Sequence, residues 1–329
     1  MDSRKRLVVP LVAFAAGCGG VEIEPIENVT ITDGQTGGAG DDSTGSPDPT
    51  SDPGSSAPMT FYIAETTEFS PNPNTIDNCD NDDLNIVTQV LREQMEADGW
   101  TGAHVFNGGS NLYDFAEPAL VSGGRDFLAA DSARVTVYAS HGNINSLQWG
   151  QPGNVPSGQP PRCSITIGAE MGLGEGAGDQ SGAAIYATSC TMSTKNSNLP
   201  NNIGAGSEVG QHFGWDNSPS INSHVLAFFF VDTGPTDFDP GDTVDAINIT
   251  NRESFLINGQ ERAGALYEEN SPVVFTPGRT ANEVINRHYG AQMAVGTGLE
   301  EEILEPQDPN IFNYSWIDNG NAGGASCGA

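Results

Sequence analysis

Basic residues are scarce in this chain. Its 329 residues include 12 lysines and arginines against 43 aspartates and glutamates, and the formal net charge at pH 7 is −31. Nucleic acids and anionic membrane surfaces attract basic patches, so the charge balance argues against nucleic acid as a partner and against a membrane contact through the protein surface. A soluble acidic surface is the simplest interpretation, and it is compatible with cationic substrates or divalent metals.

The chain also has no apolar run long enough to span a bilayer, which takes about 20 residues. The apolar stretch 7–17 has eleven residues and follows a short basic segment, which is typical of a secretory signal peptide. It closes on Ala15-Ala16-Gly17-Cys18, which resembles the lipobox of bacterial lipoproteins. The resemblance implies that Cys18 is lipidated and becomes the mature N-terminus. The alternative is an ordinary signal peptide that is cut nearby.

The following segment, 19–58, is rich in Gly, Ser, Thr, Pro and Asp, and large apolar residues are nearly missing from it after Ile31. Such a composition cannot bury enough apolar surface to offset its ordering entropy, so we expect a disordered tether. The remaining 59–329 suffice for one large α/β domain. The predicted division is therefore signal peptide 1–18, tether 19–58 and domain 59–329. We expect a protein of the cell envelope that is held at a bacterial membrane, above all the outer membrane, through its lipid anchor only. The alternative is an extracellular protein.

Cysteine is used sparingly, with five in the chain. If Cys18 is lipidated, Cys79, Cys163, Cys190 and Cys327 remain. In an oxidising compartment these four can form two disulfides with three pairings, and the sequence leaves the pairing open. A bridge at Cys190 would abolish any nucleophilic role for its sulfur.

Metal-ligand motifs are missing as well. The histidines show no His-x-x-x-His spacing, so a zinc site is not indicated. Two acidic clusters offer the oxygen ligands that calcium prefers, although neither has the EF-hand spacing. The candidate ligands are Asp77, Asp80 and Asp82 in the first cluster and Asp237, Asp239 and Asp242 in the second. A helix cap and a polar turn are the simpler interpretations. We expect that no cofactor is required, with calcium left open.

What the chain does have is a pair of apolar runs that end in reactive residues. Residues 134–142 read Arg-Val-Thr-Val-Tyr-Ala-Ser-His-Gly, and 182–190 read Gly-Ala-Ala-Ile-Tyr-Ala-Thr-Ser-Cys. Each run predicts a buried strand, followed by His141 in one case and by Cys190 in the other. Because α/β sheets place their sites at the carboxyl ends of strands, an imidazole and a thiol on neighbouring strand ends could meet as a base and its nucleophile.

The rest of the domain alternates strand and helix patterns. Strands are predicted at 59–65, 100–106, 134–140, 163–167, 183–188 and 209–215, and helices at 81–99, 111–119, 126–133, 243–255 and 280–288. An apolar stretch at 225–231 fits either type. This alternation predicts an α/β fold, with a mostly parallel sheet covered by helices on both faces.

The ordered pair of strand ends resembles the caspase- and gingipain-like superfamily of cysteine peptidases. In that pattern a strand ending in His-Gly is followed, after a spacer, by a strand ending in a small residue and Cys, and the spacing here fits it. The resemblance implies a three-layer sandwich with Cys190 as nucleophile and His141 as its acid/base partner. It also implies an oxyanion hole made by the backbone N–H groups of Gly142 and Cys190.

The match covers 134–190 closely and 59–255 loosely. Thr188-Ser189 stand where caspases have Gln-Ala, and no arginine can be assigned to reading a substrate aspartate, so aspartate specificity is not implied. Trp215 and Asp216 are candidates for a substrate pocket, with packing and a turn as the equal alternative.

The function we expect is that of a surface-tethered cysteine peptidase that hydrolyses peptide bonds in peptides or proteins. One alternative is a non-catalytic lipoprotein binding module of the same fold, with two disulfides and calcium as a stabiliser. A third is a calcium-dependent adhesion or envelope structural domain.

Overall fold

The computed structural model describes residues 59–71, 77, 79–143, 146–151, 157–158, 161–173, 183–188, 210–215, 219, 251–260, 272–277, 281–290 and 312–316. The predicted signal peptide, the tether and the apolar stretch 225–231 lie outside these residues. Within them, no helix has the length and apolar character needed to cross a membrane.

The described part of the chain forms two sheets and three α-helices. The strands are β1 (Thr60–Glu65), β2 (Thr101–Phe106), β3 (Val135–Ala139), β4 (Gly142–Asn143), β5 (Ser146–Gln148), β6 (Ser164–Thr166), β7 (Ala183–Tyr186), β8 (Gln211–Trp215), β9 (Pro272–Pro277) and β10 (Phe312–Trp316). The helices are α1 (Gln89–Ala97), α2 (Asn251–Gln260) and α3 (Ala281–Gly290).

The main sheet has seven strands in the order β10-β9-β8-β7-β3-β1-β2. The five strands from β8 to β2 are parallel to their neighbours, whereas β9 is antiparallel to both β8 and β10. The prediction of an α/β fold with a mostly parallel sheet is therefore confirmed.

The central strands are apolar along their whole length because both faces of the sheet are covered. Every residue of β3 and of β7 is buried. Strands buried on both faces read as continuous apolar runs and do not alternate with polar residues. This is why these two strands were evident from the sequence.

Different kinds of structure cover the two faces. Phe61, Ile63 and Val137 face a cluster that contains Leu91 and Met95 of α1 and Phe255 and Leu256 of α2. The opposite cluster joins sheet residues to 3₁₀ turns and to the small sheet; its members include Tyr62, Tyr138 and Tyr186 of the strands, Tyr113 and Phe115 near the turns, and Leu147 and Ile165 of the small sheet. Among the described elements, α1 and α2 thus share one face.

The small sheet, with strand order β4-β5-β6, is antiparallel and follows directly on β3. The sequence analysis expected a strand at 163–167 and none between it and the strand at 134–140. The strand at 163–167 is β6, but it pairs with β5 of the small sheet and not with the main sheet. Buried Leu147 and Trp149 anchor this hairpin against the face of the main sheet.

The first helix begins later than predicted. The cap-type residues at 81–83 precede an extended segment, and α1 starts at Gln89 with Thr88 as its N-cap. Glu65 at the end of β1 supplies the cap: its carboxylate accepts hydrogen bonds from Val87 N at 2.7 Å and from the Thr88 hydroxyl at 2.5 Å. A buried carboxylate from another element thus fixes where the helix begins.

The segments 111–119 and 126–133 are not α-helical. They contain the 3₁₀ turns Leu112–Asp114 and Asp126–Leu128. Strands at 60–65, 101–106 and 211–215 and helices at 251–260 and 281–290 occupy or overlap the predicted positions.

The order of the strands changes direction between β1 and β3. The chain places β2 on one side of β1 and then crosses to add β3, β7 and β8 on the other side. In open α/β sheets the ligand crevice lies at the carboxyl ends of the strands that flank such a switch point. The carboxyl ends of β1 and β3 are the positions of Glu65 and of the segment that leads to His141.

Candidate functional site

The two strands that precede His141 and Cys190 are neighbours in the sheet. They run parallel, with Tyr138 of β3 opposite Tyr186 of β7. The pairing continues past both strand ends, because Ala187 N donates to the Tyr138 carbonyl at 2.7 Å and the Thr188 hydroxyl donates to the Ser140 carbonyl at 2.7 Å. The prediction that these strand ends adjoin is confirmed.

His141 follows Ser140 directly, whereas Cys190 lies outside the described residues, two positions after Thr188. Two residues of extended chain span about 7 Å. Thr188, two residues before Cys190, is thus hydrogen-bonded to Ser140, the residue that precedes His141.

The ring of His141 is oriented by a backbone carbonyl. Its Nε2 lies 2.7 Å from the carbonyl oxygen of Asp82. A carbonyl oxygen only accepts, so Nε2 carries the proton, and in the neutral ring Nδ1 is left as the acceptor. The edge of the Phe69 ring packs against the imidazole, with 4.7 Å between the ring centroids. His141 is half-buried, and its ring is thus contacted on two sides, with Nδ1 as the hydrogen-bond acceptor of the neutral ring.

The backbone of His141 is also fixed. The buried Tyr138 hydroxyl lies 2.6 Å from the His141 carbonyl oxygen and 2.6 Å from that of Gln148. Gln148 N contacts both the His141 carbonyl, at 2.9 Å, and the Tyr138 oxygen, at 2.7 Å, while Ser140 Oγ donates to the Gln148 carbonyl. Burial raises the pKa of Tyr138, which keeps its hydroxyl protonated. These bonds lock the turn between β3 and β5.

Asp82 belongs to a segment that we call the strap, defined as Asp77 together with 79–84. The strap crosses the carboxyl edge of the sheet between the end of β1 and the small sheet. Asp83 Oδ1 accepts from Phe69 N at 2.9 Å, and Leu84 N donates to the Thr67 carbonyl at 2.9 Å. Its other side is attached to the small sheet.

That attachment is a disulfide between Cys79 and Cys163, whose Cα atoms are 5.3 Å apart. The carboxylate of Asp77 reinforces it by accepting from the backbone N–H groups of Cys163 and Ser164, both at 2.7 Å. The bridge settles part of the pairing that the sequence left open, because it excludes a bond from Cys190 to either cysteine. Cys190 and Cys327 lie outside the described residues.

The first candidate calcium cluster is built into the strap. Both oxygens of Asp77 accept backbone N–H groups, and Asp80 and Asp82 are exposed. Asp77 groups spatially with Cys79 and Cys163, but a disulfide offers no thiolate to a metal. Asp237, Asp239 and Asp242 lie outside the described residues.

The structure also gathers three carboxylates that the sequence analysis did not single out. Glu117, Asp126 and Asp131 present oxygens within 4.8 Å of one another, and the two aspartates are buried. They come from separate positions along two turns and a loop, so no sequence spacing marks them.

Another residue that the sequence analysis missed is Glu65, at the switch point. Besides capping α1, it accepts from His104 Nε2 at 3.2 Å. Burial raises the pKa of this carboxyl, but hydrogen bonds from His104, Thr88 and Val87 outweigh that effect and hold it below its usual range. Glu65 is therefore an ionised, fully engaged carboxylate that fastens β1, β2 and α1 together.

The two predicted pocket residues are Trp215 and Asp216, and the structure describes one of them. Trp215 is fully buried, its Nε1 donates to the Ala187 carbonyl at 3.1 Å, and its ring packs on Phe255. Its described surroundings are core, so among the described residues it does not line an open pocket. It steadies the exit of β7 instead. Asp216 lies outside the described residues.

Gly142 opens β4 opposite Leu147 and is half-buried. Its part in an oxyanion hole with the Cys190 N–H stays a prediction, as does lipidation of Cys18, which lies outside the described residues.

Comparison of the chain with family models, curated proteins and solved structures found no match. The site must therefore be interpreted from its own geometry.

Proposed function

We propose that the chain is a cysteine peptidase of the caspase- and gingipain-like type, in which Cys190 attacks the peptide carbonyl and His141 moves the proton. One observation carries the proposal: the exits of β3 and β7 are hydrogen-bonded together at Ser140 and Thr188, one residue before the imidazole and two before the thiol. In the proposed fold, helices cover both faces of the sheet and complete a three-layer sandwich.

The tautomer of His141 supports the division of roles. With Nε2–H engaged by Asp82, the Nδ1 lone pair accepts the proton of the Cys190 thiol. The thiolate then adds to the scissile carbonyl carbon, and the N–H groups of Gly142 and Cys190 stabilise the oxyanion that forms. His141 returns the proton to the leaving amine, which releases the first product and leaves a thioester on Cys190.

Water completes the cycle. His141, neutral again, removes a proton from a water molecule that adds to the thioester carbonyl. The tetrahedral intermediate collapses, the bond from carbon to the Cys190 sulfur breaks, His141 returns the proton to that sulfur, and the carboxylic acid product departs. Peptides or proteins outside the cytoplasm are the proposed substrates, and the reaction requires no cofactor.

The compartment is part of the proposal. The disulfide between Cys79 and Cys163 favours an oxidising environment, which agrees with export through the predicted signal peptide and with a lipid anchor at Cys18. Neither nucleic acid nor a membrane surface is a proposed partner of the folded domain.

The test is the alkylation rate of Cys190 by a peptidyl acyloxymethyl ketone, followed by mass mapping of the labelled peptide. We expect rapid labelling in the unmodified chain and a loss of at least 100-fold in His141→Ala, since a positioned general base contributes about 10²–10⁴-fold. His104→Gln is the matched control, because it alters a histidine elsewhere on the sheet edge and should leave the rate unchanged. A Cys190 that reacts no faster than a free thiol, or equally in His141→Ala, would refute the proposal.

The second candidate is a non-catalytic binding module of the same fold. The observed bridge is one observation in its favour. Because Cys79 and Cys163 are joined and Cys18 is the predicted lipidation site, Cys190 and Cys327 are the two cysteines that remain for a second disulfide. Mass mapping of the unreduced chain separates the two functions. A peptide that joins Cys190 to Cys327 supports the binding module, and a free Cys190 thiol supports the peptidase.

A further inference from the structure

We propose that the disulfide-anchored strap positions His141, so that Cys79, Cys163 and Asp77 are positioning residues for the general base. The proposal rests on the proposed function for its catalytic meaning, but its structural content, the orientation of the His141 ring, can be measured without activity.

The first step of the argument is the contact itself. The Asp82 carbonyl is the hydrogen-bond partner of His141 Nε2, and it lies 59 positions away along the chain. A backbone carbonyl moves only with its backbone, so the orientation of the ring depends on what holds the strap.

The second step is the nature of those holds. The strap lacks regular secondary structure, so no helix or strand of its own fixes it. After Asp82 it is held to the end of β1, because Asp83 Oδ1 accepts from Phe69 N and Leu84 N donates to the Thr67 carbonyl. Several of its polar contacts are made by exposed side chains, such as Asn81 Nδ2 to Gln148 Oε1 at 3.0 Å. Exposed hydrogen bonds compete with water, and the bond from His141 Nε2 to the Asp82 carbonyl is one of them, so the ring keeps its partner only while the strap stays in place.

The disulfide does not exchange in this way. It joins Cys79, three residues before Asp82, to Cys163 beside β6. Three residues of chain reach at most about 11 Å, so the bond confines the Asp82 carbonyl to the neighbourhood of the small sheet. The carboxylate of Asp77 adds two bonds to backbone N–H groups on the same side.

The third step is that the same small sheet also holds His141. β5 follows His141 by five residues, and Gln148 on β5 bonds to the His141 carbonyl while β5 pairs with β6. The disulfide thus ties the hydrogen-bond acceptor and the imidazole to one rigid hairpin. Cutting it leaves His141 in place but removes the covalent hold on the strap before Asp82, so that the bonds of Asp83 and Leu84 to the end of β1 hold the acceptor from one side.

The experiment measures the His141 tautomer by long-range ¹H–¹⁵N NMR in full-length chain with Cys18→Ser and Cys190→Ala, at alkaline pH where the ring is neutral. His141→Gln assigns the signal. Because the neutral side chain of free histidine already favours Nε2–H, we expect the excess of this tautomer in the oxidised protein to be larger than in free histidine, and to fall back to the free-histidine ratio in Cys79→Ala/Cys163→Ala.

Chemical reduction provides the second arm, in case the double variant does not fold. A trialkylphosphine attacks one sulfur, the S–S bond breaks, and water supplies the oxygen of the phosphine oxide and the protons of the two thiols. Near-ultraviolet circular dichroism checks that the reduced protein keeps its core. Val274→Ala, a core truncation on β9 far from the strap, is the control for general loosening and should keep the tautomer.

Catalysis provides the third arm. With Cys190 present, Cys79→Ala/Cys163→Ala should lower kcat by about tenfold or more with little change in KM, because a positioned base acts in the chemical step. Asp77→Asn, which keeps the disulfide but weakens the reinforcing bonds, should show a smaller loss of the same kind.

The outcomes separate the two proposals. If the tautomer follows the disulfide and Cys190 is unreactive, the positioning role stands and the peptidase fails. If Cys190 is reactive and neither the tautomer nor kcat responds to removal of the disulfide, the peptidase stands and the positioning role fails.

Discussion

At the scale of single residues, His141 is notable for the group that orients it. A carboxylate would hold the ring and also place a full negative charge beside it, which stabilises the imidazolium form. The carbonyl of Asp82 fixes the tautomer with a dipole alone. Within the described part of the chain, a dipole and not a carboxylate therefore orients the ring, and its proposed role as a base depends on the geometry of the strap.

Two other histidines are buried within the sheet region and give the protein an acid sensitivity. Burial lowers the pKa of His212 to about 3, and burial together with Arg252 lowers that of His288 to about 3, against an ordinary value of 6.5. Between these values the unfolded chain binds protons that the folded chain does not, so stability falls as the pH drops below 6.5.

We expect the free energy of unfolding to decrease by about 2 kcal/mol for each of these histidines between pH 7.5 and pH 5, measured by urea denaturation. His212→Gln, which cannot titrate, should make the decrease shallower. Glu65 does not contribute in this window, because its depressed pKa places its loss of stability below its ordinary 4.5. An equal pH dependence in His212→Gln and the parent chain would contradict the prediction.

At the scale of elements, close contacts between backbones link the small sheet to the end of β1. Gly150 follows β5, and a Cβ at this position would overlap the backbone carbonyl of Glu68, next to the Phe69 that packs on His141. Glycine is needed here because the two backbones approach too closely for any side chain.

Gly150→Ala should therefore destabilise the fold by about 1–3 kcal/mol, as overpacking of a tight contact does. Gly109→Ala is the matched control, because a Cβ there meets nothing within 4 Å. Urea denaturation of both variants measures the difference. A Gly150→Ala chain as stable as Gly109→Ala would show that the contact relaxes without cost.

The elements also show what the sequence could and could not predict. β1, β3 and β7 were predictable because burial on both faces demands continuous apolar runs. The start of α1 was not, since the cap is the Glu65 carboxylate, brought in from another strand, while Asp83 in the predicted cap serves Phe69 instead. β9 begins at Pro272 and ends at Pro277, and because proline is a turn-forming residue, its sequence gave no clear strand signal.

The candidate site divides in the same way. His141 and the adjacency of its strand to β7 followed from local patterns and from the rules of parallel sheets. The partner of the ring did not, because a backbone carbonyl has no residue signature; Asp82 was considered only as a side-chain ligand for calcium. The pairing of Cys79 with Cys163 spans 84 positions and depends on how the strap crosses the sheet.

At the scale of the whole molecule, the acidic net charge and the disulfide have opposite effects on the stability of the fold. A net charge of −31 favours solubility, but the like charges repel one another in the compact folded state. The described core must offset that repulsion. The seven-stranded sheet does so by burial, and the disulfide adds a constraint on the unfolded chain outside the sheet. The disulfide also agrees with the proposed export to an oxidising compartment.

The predicted boundary between the tether and the domain can be tested by limited proteolysis. The bonds after Glu22 and Glu27 lie in the predicted tether, whereas Glu65 ends β1 and Glu93 lies within α1. A glutamate-specific protease must bind its substrate in an extended form, so it cuts flexible chain far faster than strands or helices. In a time course followed by mass spectrometry, we expect cleavage after Glu22 and Glu27 to be at least tenfold faster than after Glu65 and Glu93. Heat-unfolded chain, in which all four bonds should be cut at similar rates, is the control, and similar rates in the folded protein would place the domain boundary elsewhere.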